Sequence, residues 1–274
     1  MVATNRFIFL NEEGALAGPD SWNDPARDKL WLYNLHYFDD LNAIEAEERT
    51  AWHRALVSQW IADNPPTSGN GWEPYPLSLR IVNWIKWALQ GNELKKDWQS
   101  SLAMQARFLR KRLEVHLLGN HLFANAKALV FAGLYFSGQE ADEWLEKGLS
   151  ILAREVPEQV LGDGGHFELS PMYHSIILED LLDLVNVGRV YGIDQKQGWL
   201  DAIQRVRRWL KEMCHPDGDV GFFNDSTMGI APVPQELEAY AERLGLDEMA
   251  VPLGPVTYLS DSGYLRLAIE GSSL

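Results

Sequence analysis

Apolar residues recur at intervals of three and four along most of this chain, and that spacing predicts helices. Eight helical patterns follow one another, over about 44–62, 76–90, 97–115, 121–137, 140–155, 171–191, 198–214 and 234–244. In the 171–191 pattern Ile176, Ile177, Leu181, Leu184 and Val185 fall at helical spacing. Ser170 followed by Pro171 reads there as an N-cap and a first helical residue. Tyr173 and His174 then lie in the first turn, where backbone N–H groups lack helical partners and the dipole is positive. Residues 1–30, rich in Gly, Pro, Asn and Asp, read as irregular. The next stretch, LWLYNLHYFDDL at 30–41, mixes aromatics with Asn34 and His36. No strand pattern appears until residues 256–274, where YLRLAI alternates apolar and polar positions. A lone strand is not stable in water, so this one needs a partner within the chain or beyond it.

The connections between the helical patterns alternate in kind. Plain links occupy 91–96, 138–139 and 192–197, whereas 64–76, 119–121, 161–171 and 215–226 are polar and aromatic. Steps from Tyr75 to Asn120, Ser170 and Asp225 span 45, 50 and 55 residues, each about two helices with their loops. If helices run alternately up and down, every second connection emerges at the same end. The pattern therefore predicts an all-α fold of helical hairpins, an α/α toroid closed or partly closed as an incomplete barrel. The expected domains are an irregular segment at 1–30, the toroid at 31–250, and at 251–274 a linker with the first strand of a β-domain.

The 274 residues allow one large domain or two modest ones, and 46% hydrophobic residues supply a sizeable core. Eleven tryptophans and nine tyrosines are many for this length; most are expected between helices, and exposed ones suit sugar rings. A net charge of −15 argues against nucleic acid and anionic membrane surfaces as partners. One cysteine, Cys214, excludes an internal disulfide and a Cys-based zinc site. No apolar run reaches the roughly 18 residues that span a bilayer, and no signal peptide is evident at the N-terminus.

The chain has no Gly-rich phosphate loop, CxxC, HExxH or Gly-x-Ser-x-Gly elbow. Five of its seven histidines, His36, His121, His166, His174 and His215, lie in or beside the polar loops. Asn120 and His121 have side chains able to donate to a carboxylate or a developing oxyanion, although Asn120 is equally a good N-cap. Tyr173 is a candidate acid and base, or an aromatic pinned by packing; as a base it needs a cation or a helix N-terminus to lower a pKa near 10. Glu168 orders His121 or His174, or is solvated; His166 binds substrate or satisfies a turn. Trp72, Tyr75 and Arg80 in WEPYPLSLR combine a stacking platform with a cation, which suits an acidic sugar, or else anchor a helix start. Asn224 and Asp225 line the same face, or Asp225 or Ser226 is a cap.

LYNLHYFDDL, WEPYPLSLRIVNW, LGNHLFANAKAL, DGGHFELSPMYH and PDGDVGFFNDS, in this order over about residues 30–226, together resemble the heparinase II/III-like polysaccharide lyases. The resemblance implies an α/α toroid followed by a β-sandwich domain of which this chain holds the opening. It implies that Asn120, with His121 beside it, neutralises a uronate carboxylate and that Tyr173 acts as acid and as base. His166, Glu168, His174, Asn224, Asp225, Trp72, Tyr75 and Arg80 are then expected to bind an acidic polysaccharide such as a glycosaminoglycan or alginate. The scheme needs no metal and no cofactor. Lyases of this class also use a histidine from the β-domain, which lies beyond this chain, so weak or no turnover is expected from these residues alone. Two other functions are compatible with the residues: a glycoside hydrolase using Glu168 and Asp225 as paired carboxylates, and a non-catalytic glycan-binding module.

Overall fold

The computed structural model describes residues 1–117, 119–193, 197–246, 254–269 and 272–273. Residues 194–196 of the expected 192–197 link, and residues 251–253, 270–271 and 274 of the expected C-terminal segment, lie outside them. The chain divides into two compact units: Met1–Leu117 with Ala124–Leu149, and Leu118–Phe123 with Ser150–Leu274.

The first unit opens on a hairpin, β1 (Arg6–Phe9) and β2 (Glu12–Ala15), in register Phe9↔Glu12 and Phe7↔Gly14. The expectation of an irregular start is corrected here. Leu10 and Asn11 both take positive φ, 54° and 62°, the geometry of a two-residue turn that matches strand twist. A leucine in that turn in place of Asn-Gly left no turn signal in the sequence. Next come α1 (Lys29–Tyr37), α2 (Thr50–Asp63), α3 (Pro74–Leu89) and α4 (Lys96–Arg110). Helix α1 was not among the expected patterns. Its Asp28 cap accepts from the Leu30 N–H, and Trp31, Leu32, Leu35 and His36 form its buried face. The polar His36 on that face obscured the period. Helices α5 (His121–Tyr135) and α6 (Gln139–Gln159) contribute residues to both units.

A buried arginine organises the first unit's core. Arg80 on α3 is fully buried and stacks 3.8 Å from the Trp60 ring centroid. Its Nε donates to Gln105 of α4 (2.9 Å), and its terminal nitrogens donate to the carbonyls of His36 (3.2 Å) and Gly71 (2.6 Å). Around it, the Trp60 indole N–H donates to His36 Nδ1 (3.0 Å), so the His36 proton sits on Nε2 and goes to the Trp22 carbonyl (2.9 Å). Burial, and then the charge of Arg80, push His36 down to about 3. Arg80 is thus a scaffold residue and not a cation facing a ligand. Trp72 is corrected in the same way: it is buried, its indole N–H donates to the Asn64 carbonyl (3.3 Å), and its ring edges against Phe108. Tyr75 is half-buried, edge-on to Tyr37.

The second unit holds α7 (Pro171–Val190), α8 (Gln197–Met213) and α9 (Pro234–Arg243), followed by β3 (Val256–Leu259), β4 (Tyr264–Ile269) and β5 (Ser272–Ser273). The eight expected helices are α2 to α9, within a few residues except at the start of α2, the end of α4 and the end of α6. Helix α6 runs past Pro157 to Gln159, beyond the expected end at 155. YLRLAI is β4, and its partner is β3, with Val256↔Leu267 and Leu259↔Tyr264 in register. Leu259 and Tyr264 pack on Trp209 and Met213 of α8. No described helix is long and apolar enough to cross a membrane.

Replacing Arg80 by Met would leave three buried acceptors without their donor. An unsatisfied buried acceptor costs about 1–3 kcal/mol, so Arg80→Met is expected to destabilise the protein by roughly 3 kcal/mol or more. Denaturant unfolding of the two proteins measures this, and an unchanged midpoint contradicts it.

Candidate active site in the second unit

Three of the four polar loops belong to the second unit, at 119–121, 161–171 and 215–226. The last two are closed locally. In the 161–171 loop the Leu161 N–H donates to the Gly165 carbonyl and the Phe167 N–H to the Gln159 carbonyl (both 2.9 Å). Gly164, at φ +96°, lies so close to α8 that a Cβ there would meet the Arg205 carbonyl oxygen at 2.2 Å, so no other residue fits. In the 215–226 loop the His215 N–H donates to the Asp219 carbonyl (2.8 Å), and Asn224 and Asp225 both take left-handed φ.

A chain of hydrogen bonds then joins the loops. His174 Nε2 lies 2.9 Å from the Val206 carbonyl, which can only accept, so its proton is on Nε2. His174 Nδ1 therefore accepts the His166 backbone N–H (3.2 Å). Gln159 Nε2 donates to the Gly119 carbonyl (3.2 Å) and to Glu155 (3.1 Å), which turns its Oε1 toward His166 Nε2 (3.2 Å). Both histidines are buried, and His174 stacks on Trp209 with centroids 4.3 Å apart. Burial pushes His174 down to about 4; burial, and then His174, push His166 down to about 3. Expected as substrate ligands, both are instead neutral internal struts that tie α6, the 161–171 loop, α7 and α8 together. Gln159 was not anticipated because the expected helix ended before Pro157.

Ser170 caps α7 as expected, accepting from the Tyr173 N–H (3.4 Å). Ser226 of the next loop bonds Ser170 Oγ (2.9 Å) and accepts the Met172 N–H (3.2 Å). The first-turn donors expected to be open are therefore occupied by serines. Tyr173 itself, in that first turn, is half-buried.

Glu168 comes up to the 119–121 turn. The Asn120 N–H donates to its carboxylate. Gly119 at φ +98° makes room, since a Cβ there would lie 2.8 Å from Glu168 Oε1. Glu168 Oε1 has no hydrogen-bond partner among the described residues. Burial raises Glu168 and the Asp225 charge raises it further, against the Asn120 N–H and His121, which lower it. Burial also raises Tyr173, followed by the charges of Glu168 and Asp225. Glu168 thus holds the Asn120 N–H and lies within electrostatic reach of His121 and Asp225, and Tyr173 within reach of Glu168 and Asp225, with Asn120 buried and Asp225 exposed. Asn224 adjoins them, its amide donating to the Leu169 carbonyl (3.0 Å). Trp72, Tyr75 and Arg80 belong to the other unit. Among the described residues no group of three His, Cys, Asp or Glu side chains is placed to hold a metal ion.

Residues 27–245 match the family model described as heparinase II/III N-terminus. The chain belongs to this family. A heparin-sulfate lyase of Bacteroides stercoris is 32% identical over 123 residues, covering 42% of this chain and 18% of that protein. FtsZ-localized protein C of Caulobacter vibrioides is 25% identical over 226 residues, covering 80% and 39%. A crystal structure of heparinase III superposes with a TM-score of 0.68 at 20% identity, covering 85% of this chain and 42% of that one. The chain thus spans less than half the length of each. That likeness shows the fold, and the class is the expected one, all-α of the α/α toroid type.

The three low-pKa histidines set a pH dependence. His36, His166 and His174 have folded values well below the 6.5 of an unfolded histidine, so between these values the unfolded chain binds more protons. Their stabilisation is complete above pH 6.5 and is lost as pH falls through the folded values. Each is expected to cost roughly 2 kcal/mol of stability by pH 5 relative to pH 7. Denaturant midpoints at pH 7, 6 and 5 should fall in that order; a flat series contradicts the assignment.

Proposed function

We propose that this chain carries the uronate-binding and proton-donating half of a polysaccharide lyase, which cleaves a uronate-containing glycan by β-elimination. What supports this reading is Glu168, which takes the Asn120 N–H and acts electrostatically with both His121 and Tyr173, in a chain whose relatives include heparin-sulfate lyases. Those relatives favour a glycosaminoglycan as the acidic polysaccharide. Elimination removes the C5 proton of the uronate, forms the C4=C5 double bond and breaks the C4–O4 bond. The C5 proton is only weakly acidic because the adjoining carboxylate already carries a negative charge. Donors on that carboxylate stabilise the enolate-like transition state more than the ground state. Asn120 and His121 have the side chains for this, and Glu168 holds the 119–121 turn that carries them.

The surroundings of Tyr173 divide the proton transfers. Burial and two carboxylates raise its pKa above that of an ordinary phenol, so it is protonated at neutral pH. Its proton is ready for O4 as the C4–O4 bond breaks, which makes it the general acid. The same environment opposes a tyrosinate. Abstraction of the C5 proton is therefore left to a separate base, for which the β-domain histidine that lyases of this class use is the candidate; the proton it takes from C5 replaces the one Tyr173 gives to O4, so that no net proton is gained or lost. The partner that completes the site is accordingly the remaining β-domain.

Unsaturated uronates absorb in the ultraviolet, whereas hydrolysis yields reducing ends without that absorbance. Incubating the protein with heparan sulfate and reading both signals tests the proposal. Expected is a slow rise in absorbance that falls by roughly 10³-fold or more in Tyr173→Phe, with glycan binding within about threefold of the original protein. Reducing ends without absorbance would favour the hydrolase, and binding without product both by this chain and by the protein that includes the β-domain would favour a glycan-binding module. Either outcome, or unchanged turnover in Tyr173→Phe, contradicts the assignment.

A further inference from the structure

The turn before α7 is held from a distant strand. Leu169, the residue before the Ser170 cap, takes φ +56°, a region that a leucine rarely adopts. Its N–H is engaged locally, donating to the His166 carbonyl (2.9 Å). Its carbonyl accepts two side-chain donors, the Tyr264 hydroxyl on β4 (2.7 Å) and the Asn224 amide (3.0 Å). The Asn224 amide also donates to the Tyr264 oxygen (3.3 Å), closing a triangle. The Tyr264 ring is independently seated, edge-on to Trp209 at 5.8 Å and tilted against Phe223 at 5.0 Å. Trp209 in turn stacks on His174, the residue after Tyr173.

The hairpin is pinned to the same loop at its turn. Asp163 accepts the N–H groups of Asp261 (2.9 Å) and Ser262 (2.7 Å) and the Ser262 hydroxyl (2.8 Å), and Trp209 Nε1 donates to Ser262 Oγ (2.9 Å). Two separate attachments thus run from the 259–264 region to the 161–171 loop, one at Asp163 and one at Leu169.

We propose that Tyr264 is a positioning residue for Tyr173: with Asn224 it locks the left-handed Leu169 turn and so fixes the entry of α7 and the aim of the Tyr173 hydroxyl. The catalytic part of this statement rests on the lyase reading above. The mechanism is geometric. Ser170, which caps the Tyr173 N–H, follows directly on the locked peptide, so rotation at Leu169 displaces the cap and the first turn together. A misplacement of about 1 Å in a proton donor is enough to slow transfer markedly. Deleting the Tyr264 hydroxyl removes one of two donors to the Leu169 carbonyl and leaves the ring packing in place.

The test is Tyr264→Phe, read by amide hydrogen exchange and by elimination kinetics, with Asn224→Ala as a second variant acting on the same carbonyl. Leu169, Met172 and Tyr173 are suitable probes, each with an identified acceptor. Expected in both variants is exchange about tenfold faster across residues 166–173, with no change in α3. Expected with it is a kcat about tenfold lower at a KM within about twofold. Unchanged exchange at 166–173, or an equal rise throughout the chain, overturns the lock. Faster exchange with unaltered kcat overturns the positioning role. If neither this chain nor the protein that includes the β-domain yields unsaturated uronate, it is the lyase reading that falls, and the exchange data still decide whether Tyr264 holds the turn.

Discussion

The second unit depends on two imidazoles remaining uncharged. His174 uses its one proton on the Val206 carbonyl and its one lone pair on the His166 N–H. His166 gives its proton to Gln159, whose amide reaches the Gly119 carbonyl beside Asn120. Each link fixes the role of the next, because a neutral imidazole has one donor and one acceptor. A second proton on His174 would point a donor at the His166 N–H and place a charge against Trp209 in a site without solvent. The network therefore has one stable protonation state, and that state holds the 119–121 turn and the α7 entry to a common frame.

The outer layer of the site has the opposite character. Glu168 and Asp225 bring negative charge to Tyr173, in a chain of net charge −15. That is unfavourable for an anionic glycan approaching from solvent, and Arg80, the cation expected to offset it, is committed to the first unit's core. On the lyase reading proposed above, attraction for a uronate then falls on short-range donors, Asn120 and His121, acting well within the Debye length of roughly 8 Å. Burial, and then the same carboxylates, favour the protonated Tyr173 phenol, which on that reading suits donation to a leaving oxygen and opposes proton abstraction.

Much of this was legible in the sequence wherever local chemistry decides structure. The Ser170–Pro171 start of α7, the placement of Asn120 and His121 at the head of α5, and the strand at YLRLAI follow from capping preference and periodicity. What was not legible depends on contacts distant along the chain. Gln159 lies beyond a proline that ordinarily ends a helix, and Tyr264 meets Leu169 across 95 residues. Burial was equally hidden. Trp72, Arg80 and His174 carry side chains that suit a sugar acid, yet each has its hydrogen bonds taken up inside the protein, as buried polar groups tend to, and the buried His166 has its Nε2 proton taken by Gln159. The N-terminal hairpin and α1 were missed for lack of a turn signal and because of a histidine on the buried face.

The central claim is the protonation state of His174, and side-chain ¹⁵N NMR reads it directly. The account predicts a neutral imidazole protonated at Nε2 and accepting at Nδ1, unchanged from pH 7 down to about pH 5. A His174 that titrates near the ordinary 6.5, or that carries its proton on Nδ1, would contradict it.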